Sequence, residues 1–262
     1  MKRVTRLNAS NSNASRNIMT QENSGNSYSA IAALALGAGL LGFAGGWGWQ
    51  ASGLGREATE EVVRSYILEN PEILPEAIDN LQQKQLQARL EPVRDALEQP
   101  FPGAVLGNPD GAITLVEFTD YSCPYCRMSI EGIEGLIADN PDLKVVIREN
   151  PILSMESVEA ARMALAAAEQ GRFEAFYFAM FAKDRPGEAT IEQAAREAGV
   201  DLAVARAEIA TGKYDFELEN NARLTQSIGF TGTPAWVVGD QAFSGAVPQE
   251  TLAEAIARAR ES

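Results

Sequence analysis

The 262-residue chain contains no histidine and only two cysteines. Without histidine, Ser-His-Asp and Cys-His hydrolases are excluded, and with them most catalytic metal sites. Basic residues are also scarce. The 22 Lys and Arg face 36 Asp and Glu, and the resulting net charge of −14 argues against nucleic acid as a partner. Apolar residues are not scarce: at 45% they suffice for a substantial core, and the length allows one domain of ordinary size with additions.

The two cysteines stand together in Phe118-Thr119-Asp120-Tyr121-Ser122-Cys123-Pro124-Tyr125-Cys126. The apolar run Ala112–Phe118 ahead of them reads as a buried strand. From Cys123 to about Asp139 the spacing is helical, with Met128, Ile130, Ile133, Leu136 and Ile137 able to share a face. A strand-to-helix junction puts the thiol pair at a helix N-terminus. There, free N–H groups and the helix dipole stabilise a thiolate. That form attacks disulfides, so Cys123 is predicted to be nucleophilic, with Cys126 one turn on to close a disulfide. Zinc would need four ligands, and no further cysteine or histidine supplies them. A structural disulfide closing so small a loop would constrain the unfolded chain little. Zinc would need carboxylates or a second chain, and redox chemistry is the stronger reading.

Residues 1–28 are rich in Asn and Ser and read as a disordered cytoplasmic leader. Lys2, Arg3, Arg6 and Arg16 outweigh Glu22 there. Residues 29–50 are apolar and uncharged, with Trp47 and Trp49 near the end, and are predicted to form a transmembrane signal anchor. Positive charge before the span puts the rest of the chain outside. The catalytic domain is therefore expected in the periplasm, on a single-pass inner-membrane protein. Cleavage near Ala51-Ser52-Gly53, giving a soluble periplasmic protein, is the alternative.

Residues 56–99 read as a helical arm, with Asn70-Pro71 restarting a helix and a narrow stripe at Leu74, Ile78, Leu81, Leu86, Leu90, Val93 and Leu97. The stripe fits two uses: packing on its own domain, or self-association into a homo-oligomer. Residues 106–111 read as a turn-rich linker, and Leu143–Glu149 as a second strand parallel to the first. From about 151 to 228 the pattern is helical, including the stripe Phe173, Phe176, Tyr177, Met180 and Phe181, which reads as core. Thr233-Pro234 then precedes a hairpin, Ala235–Gly239 and Gln241–Gly245, and a final helix over Gln249–Arg260. The Thr-Pro pair invites a cis peptide that would expose the Thr233 backbone beside the thiols.

This order of elements resembles the thioredoxin fold in its DsbA-like branch: an α/β fold with an inserted helical domain, here covering residues 104–262. The arm, with its Glu-Asn-Pro-Glu-Ile-Leu stretch, is similar to the N-terminal region of exported DsbA-like proteins related to ScsC and Com1, some of which self-associate through it. The resemblance implies that Cys123 is the exposed attacking cysteine and Cys126 the buried resolving one. It also implies that Pro124 and Tyr125 support them, and that Thr233-Pro234 contacts the substrate backbone. Glu117, six residues before Cys123, falls where the family has a buried acid moving protons to or from Cys126; an exposed strand residue is the alternative. Tyr125 departs from the histidine of the strong oxidase, which points to a less oxidising disulfide.

The activity so implied is protein thiol–disulfide exchange, as oxidase or isomerase, through a mixed disulfide at Cys123. It needs no bound cofactor and no metal. Its partners would be exported proteins carrying thiols or disulfides, and a membrane redox partner. The rival reading is an extracytoplasmic chaperone or copper-handling protein using the same thiols, since soft thiolates suit Cu(I).

Overall fold

A computed structural model of the chain describes residues 54–261. The leader and the span expected over 29–50 lie outside them. Among the described residues, no helix is long and apolar enough to cross a membrane.

Backbone packing divides the chain between Leu74 and Pro75. In the first unit, α1 (Leu54–Glu69) ends where Asn70 folds back. Both its backbone N–H and its side-chain amide donate to the Tyr66 carbonyl, at 3.0 and 2.9 Å. Val62, Val63, Tyr66 and Leu68 of α1 face solvent. Pro71 does not open the next helix. α2 (Ile73–Leu90) starts two residues later and carries Pro75 in its first turn, where a missing N–H costs no bond.

The second unit is built on a five-stranded sheet of order β1-β3-β2-β4-β5: β1 (Val105–Gly107), β2 (Ile113–Thr119), β3 (Leu143–Glu149), β4 (Ala235–Val238) and β5 (Gln241–Ser244). β2 and β3 are parallel and every other pair is antiparallel. β1 overlaps the start of the stretch read as linker. It is three residues long, too short to show an alternating pattern, and only its pairing with β3 makes it a strand.

Strand alternation gives the sheet two apolar faces. The front one carries Leu115, Val145, Ile147, Trp236 and Val238. Against it pack α4 (Pro124–Met128), α5 (Ile130–Asp139) and α11 (Gln249–Ala259), with the inserted helices α6 (Met155–Glu169), α7 (Phe173–Phe181), α8 (Glu188–Glu197) and α9 (Leu202–Ala210) completing that core. The aromatic stripe of α7 is buried there, each ring contributing on the order of 1.5–3 kcal/mol relative to exposure. The back face carries Val116, Phe118, Val146, Ala235 and Val237. It is covered by α10 (Asp215–Ile228), which ends in a left-handed cap at Gly229 (φ 94°), and by the lower end of the arm.

The arm's stripe therefore divides. Leu90 and Leu97, flanked by Leu86 and Val93, pack on the sheet, whereas Leu74, Ile78 and Leu81 are exposed. The helix expected from Cys123 to Asp139 also divides. At Ser129 the hydroxyl donates back to the Tyr125 carbonyl at 3.0 Å, bending the chain between α4 and α5.

Candidate active site

The end of β2 aims the chain at the thiols, and Asp120 fixes the aim. Buried at the strand's exit, its carboxylate accepts from the N–H of Ser122 (2.7 Å) and the hydroxyl of Ser157 (2.6 Å). It also accepts from the N–H groups of Ile152 and Leu153, at 2.8 and 2.9 Å. Four donors on one carboxylate tie the loop before Cys123 to the start of the insertion. Across from it, the Arg127 guanidinium donates to the carbonyls of Phe181 (2.9 Å) and Asp184 (2.6 Å), tying α4 to the far end of α7.

Cys123 is the N-cap residue of α4, with Pro124 in the first turn. Its sulfur accepts from the Cys126 N–H at 3.5 Å and, when protonated, donates to the Thr233 carbonyl at 3.2 Å. The Thr233–Pro234 peptide is cis, as the sequence invites. Facing the Cys126 thiol lowers the pKa of Cys123 most. The Thr233 side chain and the N–H groups of Cys126 and Tyr125 add to this, and burial opposes it. The net effect takes Cys123 from the usual 9.0 down to about 5. The thiolate is thus the resident form at neutral pH. Tyr125 is 56% exposed and supplies no charge to this balance.

Cys123 was expected to be exposed, but it is only 3% exposed, because its helix cap and the Thr233 carbonyl hold the sulfur inward. It still lies nearer the surface than Cys126, which is fully buried. Burial first, then the Cys123 sulfur and the Glu117 carboxyl, push the pKa of Cys126 far up. The pair is asymmetric, with one sulfur ready as an anion and the other holding its proton.

Glu117 lies fully buried, facing the thiols, so the exposed alternative does not apply. It accepts from the Tyr177 hydroxyl at 2.7 Å. Burial raises its pKa from 4.5 to about 7, against the pull of the Tyr177 and Thr119 hydroxyls, so it exchanges protons in the range where the thiols work. Sequence reasoning missed Tyr177, whose hydroxyl is hidden in an apolar stripe. It also missed Glu149, at the end of β3, which accepts from Tyr121 at 2.9 Å. A signal for Glu149 was present: a second acid in an apolar strand, close to the end that meets the thiols.

Two clefts flank the thiols. One, of about 640 Å³, is lined by Ser122, Pro124, Arg127, Ser154, Asp184 and Arg185. The other, of about 410 Å³, is lined by Met128, Ile133, Trp236, Val247 and Leu252 together with Glu131 and Gln249. Among the described residues there is no cluster of three or more metal-ligating side chains.

Residues 114–257, more than half of the chain, match the family model described as a DSBA-like thioredoxin domain. The chain belongs to the DsbA-like thioredoxin family. Its members are thiol–disulfide oxidoreductases. Residues 56–88 of this DsbA-like chain match the model of the copper resistance protein ScsC N-terminal domain. A thioredoxin-like oxidoreductase from Silicibacter pomeroyi DSS-3 is 39% identical, with a TM-score of 0.62 over 64% of this chain and 98% of that one. A linker-deletion variant of ScsC from Proteus mirabilis is 27% identical, with a TM-score of 0.59 over 79% of this chain and 95% of that one. Among curated proteins, the Na(+)/H(+) antiporter NhaA 3 of Salinispora tropica is 27% identical over 155 residues, 58% of this DsbA-like chain and 24% of that protein. The chain spans a quarter or less of the length of the curated relatives it matches, and antiport is named for those proteins alone.

Proposed function

We propose that this protein exchanges disulfides with exported client proteins through a mixed disulfide at Cys123. The observation that carries the reading is the Cys123 sulfur. It caps a helix, is stabilised as an anion, and lies 3.2 Å from the Thr233 carbonyl of the loop that would meet the client backbone. In the reductive direction the Cys123 thiolate attacks a client disulfide, releasing one client sulfur as thiolate. Cys126 then gives up its proton, attacks Cys123, and frees the second client thiolate. Glu117 is the group that accepts that proton. In the oxidative direction the same steps run backwards, and the client leaves with the disulfide. A stabilised Cys123 thiolate favours the reduced enzyme, hence oxidation or shuffling of clients, even without a charged residue at Tyr125.

The cleft beside Met128 and Trp236, with Glu131 and Gln249 at its polar part, suits extended client segments that carry both apolar and polar side chains. The leader's positive charge and the apolar run over 29–50 support an inner-membrane anchor with the thiol domain in the periplasm, and a membrane redox partner to reset the pair. Cleavage after that run would leave the same domain soluble in the periplasm. The exposed Leu74, Ile78 and Leu81 support self-association of the arm, which would set several thiol pairs around one client.

Copper handling is a second reading, favoured by the match of residues 56–88 to the ScsC N-terminal domain. A two-thiolate Cu(I) site would have to strip the proton that burial holds on Cys126, so we rank it below exchange. The test is Cys126→Ser in the full chain. Disulfide-linked client adducts, cleaved by reductant and absent in Cys123→Ser, are expected. A Cys126→Ser protein that traps no client under non-reducing electrophoresis would refute exchange.

A further inference from the structure

Four buried side-chain oxygens have no hydrogen-bond partner among the described residues: Thr233 Oγ1 lies beside Cys123, and the other three, Glu117 Oε1, Thr119 Oγ1 and Glu149 Oε2, stand together on the sheet. Their arrangement follows from the strands. Glu117 and Thr119 are two residues apart on β2, so their side chains share the front face. Thr119 pairs in register with Glu149 on the parallel neighbour β3, which puts Glu149 on that face too. The second oxygen of each carboxyl is occupied, by Tyr177 on Glu117 and by Tyr121 on Glu149. What remains is two carboxyl oxygens and one hydroxyl on the same face of the sheet, each removed from the solvent-exposed surface.

The hydroxyl is costly where it stands. A buried polar group without a partner destabilises a fold, and valine would fill the same volume in a strand at no such cost. The Thr119 hydroxyl is committed to no well-formed hydrogen bond, yet it lies close enough to Glu117 and to Cys126 to favour the anion of each. Cys123 also acts on both, but it raises their pKa values, whereas Thr119 lowers both. The other charged or titratable groups around it are Glu149 on β3, Cys123 on α4, Tyr177 on α7, and Asp120 and Tyr121 in the loop. Burial keeps the Glu149 proton in place, with the charges of Glu117 and Asp120 adding to the effect and the Tyr121 bond opposing it.

We propose that Thr119 is a positioning residue for the resolving step, relaying the proton between Cys126 and Glu117 through its hydroxyl. When Cys126 attacks, its S–H proton passes to Thr119 Oγ1 as the hydroxyl's own proton passes to Glu117 Oε1. One S–H and one carboxylate become one thiolate and one carboxylic acid, and total charge is unchanged. The reverse transfer accompanies reopening of the disulfide. Burial raises the pKa of Glu149 well above that of an ordinary carboxyl, which favours Glu117 as the carboxylate that accepts. The inference rests on Cys126 being the resolving thiol.

The experiment is the reaction of the reduced full chain with oxidised glutathione, quenched by acid and alkylation from pH 5 to 9. It separates formation of the Cys123–glutathione adduct from its resolution by Cys126. In Thr119→Val the first step is expected to be unchanged. Resolution should slow at least about tenfold at pH 7, with its pH profile displaced upward and the adduct accumulating. Thr119→Ser is expected to restore resolution, and the melting temperature of Thr119→Val to equal or exceed that of the wild type. Unchanged resolution and pH profile in Thr119→Val would overturn the relay, as would equal slowing of both steps. So would a Thr119→Ser variant that stays slow while both variants lose stability. A wild-type chain that forms no glutathione adduct would instead refute the exchange reading itself.

Discussion

On the back of the sheet, Arg148 is buried with its guanidinium fully engaged. It donates to Glu217 (2.9 Å), Asn221 (3.3 Å) and the Leu97 carbonyl (3.0 Å), and also to the carbonyls of Ala96 and Gln99. One residue further along the same strand, on the front, Glu149 is buried with one bond and one bare oxygen, and Glu117 on β2 is in the same condition. A buried charge with every bond made holds structure in place. Here Arg148 locks the final turn of the arm, α3 (Arg94–Glu98), and α10 onto the sheet. Buried acids with bonds left open cost stability and stay free to gain and lose protons. The two faces thus separate the framework from the chemistry, one residue apart.

The comparison breaks most visibly at the thiols. Cys123→Ser should abolish exchange completely while the circular dichroism spectrum and melting profile stay near wild type. An unfolded variant would mean the site is also framework. Next in size is Arg148→Met, which strips five acceptors of their donor and should cost about 3–5 kcal/mol in urea unfolding. Leu90→Ala, beneath the same face, should cost about 2–5 kcal/mol, which would establish the lower arm as part of the domain's core.

Glu117→Gln should behave in the opposite way. The folded pKa of Glu117 is raised, so its contribution is present below pH 4.5 and is lost as pH rises through about 7. Against wild type, Glu117→Gln should be equally stable near pH 4.5 and more stable by about 1–3 kcal/mol at pH 8, with slower resolution of mixed disulfides. The Cys123 pKa is lowered, so its contribution grows between about pH 5 and 9 in both proteins, and only its repulsion with the Glu117 carboxylate is lost in the variant. The smallest effect is at Ile78, exposed on α2. Ile78→Lys should change stability by less than about 0.5 kcal/mol, yet convert an oligomer to monomers in sedimentation.

The sequence revealed the front face better than the back. Cys123, Cys126 and Glu117 lie within ten residues, and Thr233-Pro234 has a local signature, so each could be read from its neighbours. Arg148 could not, because its partners at 96–99, 217 and 221 are remote in the chain and a lone arginine in a strand carries no pattern. β1 was missed for the same reason. The arm's stripe was legible as a stripe, but where it changes from packed to exposed depends on where the sheet ends. Thr119 and Glu149 looked like ordinary strand residues until register set them side by side.

The central claim is an ionised Cys123, and the pH dependence of its alkylation in the reduced full chain tests that claim directly. A rate that rises with a midpoint at about pH 5 is the predicted result. A midpoint near 8.5, that of an ordinary free thiol, would contradict it.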